Sequence, residues 1–182
     1  MEEVKDFSDI NWLTREKYEA MPVWERALHW ASLYAVAKVK EEKGNKGFWP
    51  SLFLAKVGLG PGYAWCAAFV YHCLIKAGVD PKGLPSKWKG ASVREWALWA
   101  KEKGLVRHVP KRGFLFYWLS ANGSGHIGFI RNMAHWPEWL ETIEGNTNAE
   151  GGREGDGVYY KDRRKNVLEM NFESGFIDVT GL

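Results

Sequence analysis

The sequence predicts an α+β fold, with helices from the N-terminal part packed on an antiparallel β-sheet from the C-terminal part. Between Pro22 and Gly104 apolar residues recur at helical spacing, whereas after Pro110 they alternate with a period of two. Helices first and strands afterwards is the order of an α+β domain rather than of interleaved βαβ units. The 182 residues contain no repeat, low-complexity run or linker, so a single domain spanning 1–182 is expected, its core covering about 22–180.

Each element has local grounds. From Pro22 to Lys43, Val23, Ala27, Trp30, Ala31, Tyr34 and Ala37 mark a helical face, with Pro22 suited to a first helical position and Gly44 to the stop. Pro50–Gly58 reads as a short second helix. A Gly60-Pro61-Gly62 turn then hands over to the apolar run Tyr63–Val70, which continues through Tyr71, Leu74 and Ile75 to Gly78. Cys66 therefore falls in the first turn of a helix of about four turns. A loop from Asp80 to Gly90 follows, and Ser92-Val93-Arg94-Glu95 forms a capping box for a helix that stops near Gly104. Strands are predicted at 113–118, 126–131, 140–144 and 157–161, with a turn at 122–125, and short runs Val167–Met170 and Phe176–Val179 extend the sheet.

Charged residues at 26% and hydrophobic residues at 46% suit a soluble globular protein. Most of the eleven tryptophans should pack in the core or at its rim, and some can line a groove for a sugar or peptide ligand. The start, Met1-Glu2-Glu3-Val4-Lys5-Asp6, lacks the basic-then-apolar order of a signal peptide, which suggests synthesis in the cytoplasm and release by another route. No apolar run approaches the ~20 residues of a membrane span, so no membrane insertion is expected. Neither a nucleic-acid partner nor a cofactor is expected, and the chain is expected to be a monomer. Between Lys82 and Arg112, nine Lys or Arg against two Glu leave a local excess of +7 (9 − 2). This stretch reads either as a solvated face or as an attractor for an anionic polymer.

Cys66 and Cys73 are the two cysteines. Seven residues along one helix place their Cα atoms roughly 10 Å apart at ~1.5 Å rise each, beyond the ~7 Å reach of a disulfide. Cys73 then lies on the same face, in the core. No second Cys or His has zinc-ligand spacing. A thiol at the start of a helix feels the positive end of the macrodipole and the unpaired amides of the first turn, which favours the attacking thiolate.

Cysteine catalysis also needs a base and a group that orients the base. Among five histidines, His29 lies in the first helix and His108 and His135 in connecting segments. His72 shares the helix of Cys66 but is turned to the wrong side. His126 opens a strand after a Gly-rich turn, and its same-face neighbour Gly128 leaves room for an approaching helix. The strand ending Thr142-Ile143-Glu144-Gly145-Asn146 puts Glu144 and Asn146 on one face, and either can accept a hydrogen bond from His126.

The run Gly58-Leu59-Gly60-Pro61-Gly62-Tyr63-Ala64-Trp65-Cys66-Ala67-Ala68-Phe69-Val70 resembles the cysteine motif of the CHAP domains, the cysteine- and histidine-dependent amidohydrolases/peptidases. Gly125-His126-Ile127-Gly128 resembles their histidine motif, and Thr142–Asn148 their acid/amide motif. The resemblance spans about 27–179 and implies a papain-like fold and a peptidoglycan hydrolase, many of its bearers being phage lysins. Carried over by position, it makes Cys66 the nucleophile, His126 the base, Glu144 the orienting acid and Asn146 a supporting polar group. Bacterial peptidoglycan is the implied partner, cut at an amide of the stem or bridge peptide and met at the cell wall. Gly113-Phe114 departs from the Gly-Asp that family members often carry at the first strand. The stretch Val57–Trp65 has no carboxylate for the calcium loop of some relatives, so no metal is expected. A papain-like amidase on a non-wall substrate, or a catalytically silent wall-binding module, would share these elements.

Overall fold

Among the residues that the computed structural model describes (14–148, 155–166 and 172–182), five α-helices precede the six strands of one antiparallel sheet, with the final helix directly before the first strand. The sequence-read stretches Met1–Asp6 and Val167–Met170 lie outside the described residues. Helix α1 (Arg15–Ala20), which periodicity did not predict, is capped by Thr14, whose hydroxyl accepts from the Lys17 amide at 3.3 Å. Helix α2 covers Val23–Val36, with Pro22 as its extended N-cap rather than its first helical residue. It stops well before Gly44 because Lys38 takes φ +51° and the chain turns to the sheet, where the Val158 amide donates to the Val39 carbonyl at 2.9 Å. Pairing with a distant strand ends this helix, so its length could not be read from its own residues.

Helix α3 (Phe48–Ala55) and helix α4 (Cys66–Ala77) follow, α4 ending at the left-handed Gly78 with φ +102°. At 12 residues α4 makes just over three turns, somewhat shorter than predicted. The loop after Asp80 is not irregular throughout: Pro81–Gly83 and Lys87–Ala91 form 3₁₀ turns. Helix α5 (Val93–Glu102) is capped by Ser92, whose hydroxyl accepts from the Glu95 amide at 3.3 Å.

The strands are β1 (Val106–Arg107), β2 (Leu115–Leu119), β3 (Gly125–Asn132), β4 (Trp139–Thr147), β5 (Gly157–Arg164) and β6 (Glu173–Ile177), in the order β1-β6-β2-β3-β4-β5. The helices cover one face. Leu115, Tyr117, Ile127, Phe129 and Ile143 join the main core there, with Phe69 of α4 edge-on to Phe129 at 6.5 Å. Alternation sends Phe114, Phe116, Ile130, Leu140 and Phe176 to the other face, where they form a second, smaller core. Tyr34 of α2 seats α3 and α4 by T-shaped contacts with Phe53 of α3 and with Phe69 and His72 of α4, at 5.4, 5.9 and 5.6 Å. Gly145 sets how closely α4 meets β4, since a Cβ there would stand 2.7 Å from Phe69 Cγ.

The basic segment is partly neutralised in the fold. Arg112 pairs with Glu25, Lys101 with Glu173 and Arg107 with Asp178, at 3.2, 3.0 and 3.3 Å. These three carboxylates come from outside the segment and reduce its excess from +7 to +4 (7 − 3).

Candidate active site

The Gly60-Pro61-Gly62 turn delivers Cys66 as the first residue of α4. Gly62 adopts φ +99° and its amide donates to the Asn45 carbonyl at 2.9 Å. Trp65, fully buried, is the N-cap residue and is pinned by its indole, which donates to Glu41 Oε2 at 3.0 Å. The first intrahelical bond runs from the Phe69 amide to the Trp65 carbonyl, so the amides of Cys66, Ala67 and Ala68 have no partner inside the helix.

His126 lies in β3, on the sheet face turned away from the helices. Its Nε2 is 2.8 Å from Glu144 Oε2, and the Cys66 thiol acts on the same ring, favouring its protonated form. With Nε2 engaged by Glu144, Nδ1 is the nitrogen left for sulfur. Burial works against a charged imidazole, yet the Cys66 thiol, with the hydrogen bond and the charge of Glu144, raises the His126 pKa to about 9. The rings of Phe116 and Trp118 flank it, each at 6.1 Å.

Glu144 is completely buried and fully satisfied. Thr142 Oγ1 donates to Oε1 at 2.6 Å, Arg163 Nε to Oε1 at 2.8 Å and Arg163 Nη2 to Oε2 at 2.5 Å. Burial alone would raise its pKa, but the Arg163 guanidinium and then the His126 ring outweigh burial and hold the carboxyl well below the usual carboxylate range. Arg163 and Thr142 were not singled out from the sequence. Thr142 was within reach of strand alternation, two residues before Glu144. Arg163 was not, because the predicted strand stopped at Lys161 and pairing of β5 with β4 could not be read locally.

Gly128 plays a different part from the one expected. A Cβ there would lie 2.8 Å from Glu144 Cγ and 2.8 Å from Phe116 Cε1. The missing side chain makes room for the carboxylate and not for a helix, since His126 and Gly128 share the face opposite α4. Asn146 also departs from strand alternation. The register of β4 shifts between Glu144 and Thr147, and Asn146 takes φ +54°. It lines the cleft beside His126, and the hydrogen bond at Nε2 goes to Glu144.

The other cysteine and the other helix-borne histidine belong to the core. Cys73 is fully buried, which pushes its thiol pKa well up. His72 bonds the Tyr34 hydroxyl at 2.7 Å, and burial, with Lys76 and Lys56 nearby, lowers its pKa to about 3. Among the described residues no three His, Cys, Asp or Glu side chains converge as metal ligands.

Cys66 and His126 face a cleft of about 540 Å³ that Trp118, Asn122, Asn146 and Arg163 also line. A thiol and an imidazole on one cleft, the imidazole hydrogen-bonded to a locked carboxylate, can shuttle a proton between sulfur and a bound group. No curated protein and no solved structure matches the chain. The family model of the CHAP domain matches residues 58–146, a stretch that runs from the turn before Cys66 through His126 and Glu144 to Asn146. Through that segment, just under half of its length, the chain is similar to the CHAP domain of cysteine- and histidine-dependent amidohydrolases.

Proposed function

We propose that this protein hydrolyses an amide bond in the stem or bridge peptide of bacterial peptidoglycan, acting as an N-acetylmuramoyl-L-alanine amidase or an endopeptidase at the cell wall. The observation that supports it most is the line Cys66–His126–Glu144 at the floor of an open cleft. The wall as substrate rests on the family, whose members act typically on peptidoglycan.

In this reading the Cys66 thiol passes its proton to His126, and the sulfur attacks the amide carbonyl to form the C–S bond. Negative charge builds on the carbonyl oxygen, and the backbone amide of Cys66, unpaired within its helix, donates to it. The imidazolium, held by the buried Glu144 carboxylate, gives its proton to the departing amine as the C–N bond breaks. Water, deprotonated by His126, then cleaves the thioester, releasing the acid and restoring the thiol. Glu144 stays ionised throughout because Arg163 and Thr142 saturate it. Asn146 supports the polar wall of the cleft.

Incubating the protein with purified peptidoglycans and sequencing the new termini by mass spectrometry tests the proposal. One new amine and one new carboxyl per cut, absent with Cys66→Ala, are expected. Intact peptidoglycan from every wall type would overturn the choice of substrate.

A further inference from the structure

Cys66 borders two clefts. The first, containing His126, is described above. The second, of about 450 Å³, is lined by Leu59, Tyr63, Trp88, Ala91, Val93 and Arg94. Ala64, Cys66, Ser124 and Gly125 line both, so the two clefts meet at the sulfur. We propose that the second cleft binds the acyl half of the amide substrate, taking an apolar side chain beside Trp88 and Tyr63 and a carboxylate at Arg94.

The assignment of halves follows from where the proton must go, and it rests on the reading that Cys66 attacks and His126 protonates the leaving amine. The leaving amine must come within hydrogen-bond distance of His126, which places that half of the substrate in the cleft His126 lines. The carbonyl carbon sits at sulfur. The acyl chain then runs away from His126, and the second cleft, which borders Cys66 and is not lined by His126, is free to take it.

The second cleft has a chemical character of its own. Trp88 and Tyr63 are 54% and 58% exposed, whereas Trp65 and Trp96 are fully buried. Aromatic rings left in water at the rim of a groove supply binding area at small entropic cost. The 3₁₀ turn that carries Trp88 is firmly seated. Gly90 packs so tightly that a Cβ would lie 2.7 Å from Val57 Cγ1, and its carbonyl accepts from the Trp96 indole at 2.9 Å. Arg94 is exposed and has no carboxylate partner among the described residues. The adjacent acid, Glu95, is already paired with Lys89 at 3.0 Å. An unneutralised guanidinium in the wall of a mainly apolar groove is matched by a ligand that carries both an apolar side chain and an anionic group.

Chloromethyl ketones test this without a wall substrate. The Cys66 sulfur displaces chloride, forming a C–S bond, and the acyl-side residue of the probe occupies the site in question. N-acetyl-glycyl, N-acetyl-phenylalanyl and N-succinyl-phenylalanyl chloromethyl ketones would be compared, each labelling rate divided by that of iodoacetamide on the same variant. The order succinyl-Phe, acetyl-Phe, acetyl-Gly is expected, with steps of about tenfold for the ring. Trp88→Ala should bring the acetyl-phenylalanyl probe down to the glycyl rate, and Arg94→Gln should remove the advantage of the succinyl group alone. Equal normalised rates for all three probes on the unsubstituted protein would overturn the acyl cleft. An iodoacetamide rate at Cys66 no faster than that of the buried Cys73 would instead overturn the nucleophile on which the inference rests.

Discussion

Replacing Glu144 by Gln probes the centre of the site, because that carboxylate is shared by His126 and Arg163. In the unsubstituted protein a buried anion lies between two cations, with contacts of 2.8 Å to His126 and 2.8 and 2.5 Å to Arg163. Glutamine keeps the shape and removes the charge. A hydrogen bond to a charged group is worth roughly 1.5–3 kcal/mol, and one pKa unit corresponds to about 1.36 kcal/mol. Losing the carboxylate should therefore lower the His126 pKa by about 1–2 units. Arg163 deepens the fall, since its charge is no longer neutralised and repels an imidazolium. The measurement is an NMR titration of the His126 ring in a Cys66→Ala background, free of coupling to the thiol. Parent and variant are compared within that background, where loss of the sulfur already lowers the starting value from about 9. Breaking the buried pair should also cost about 3 kcal/mol of stability, and adding Arg163→Met should recover part of both effects. A folded Glu144→Gln protein whose His126 midpoint moves by less than about 0.3 unit would refute the charge coupling. Stability should follow the same groups. The His126 pKa is raised from 6.5 to about 9, so its contribution is complete below 6.5 and is lost as pH rises through about 9. The Glu144 pKa is lowered from 4.5, so its contribution is present above 4.5 and is lost as pH falls through its depressed value. Between these limits both are in force.

Asn146→Ala, in contrast, should leave the His126 titration nearly in place, because the Nε2 bond is made by Glu144; a shift as large as that of Glu144→Gln, read by the same NMR titration, would reverse their roles. Cys66→Ser should abolish turnover in the peptidoglycan assay with an unchanged melting curve. Cys73→Ser buries a hydroxyl in the core and should cost about 1–3 kcal/mol while activity per folded molecule is retained; inactivity without unfolding would move the nucleophile to Cys73. Gly145→Ala should destabilise by about 1–3 kcal/mol in urea denaturation, since the new methyl meets Phe69 at 2.7 Å. If the basic stretch from Lys82 to Arg112 draws the protein to anionic wall polymers, binding to whole walls should weaken with added salt over a Debye length of ~10 Å at 0.1 M. Cleavage of a short soluble fragment should change far less, and equal salt sensitivity would make the stretch an ordinary solvated surface.

The amino-acid sequence by itself determined the α+β class, the helix opening at Cys66, the strand opening near His126 and the face that His126 shares with Gly128. These rest on local physics: a Gly-Pro-Gly turn, a helix-period run and strand alternation act within a few residues of one another. The same alternation misled at Asn146, where a bulge and a left-handed backbone turn the chain out of register. Tertiary structure alone decided the partners. It ended α2 at Val36 by pairing Val39 with Val158, and brought Arg163 across from β5 to clamp Glu144. It gave Gly128 the task of admitting a carboxylate, and paired Arg112, Lys101 and Arg107 with acids far away in the chain. Periodicity states which side chains share a face, but strand order and register state what stands opposite that face. Those depend on contacts between residues distant in sequence, whose energies no local window contains.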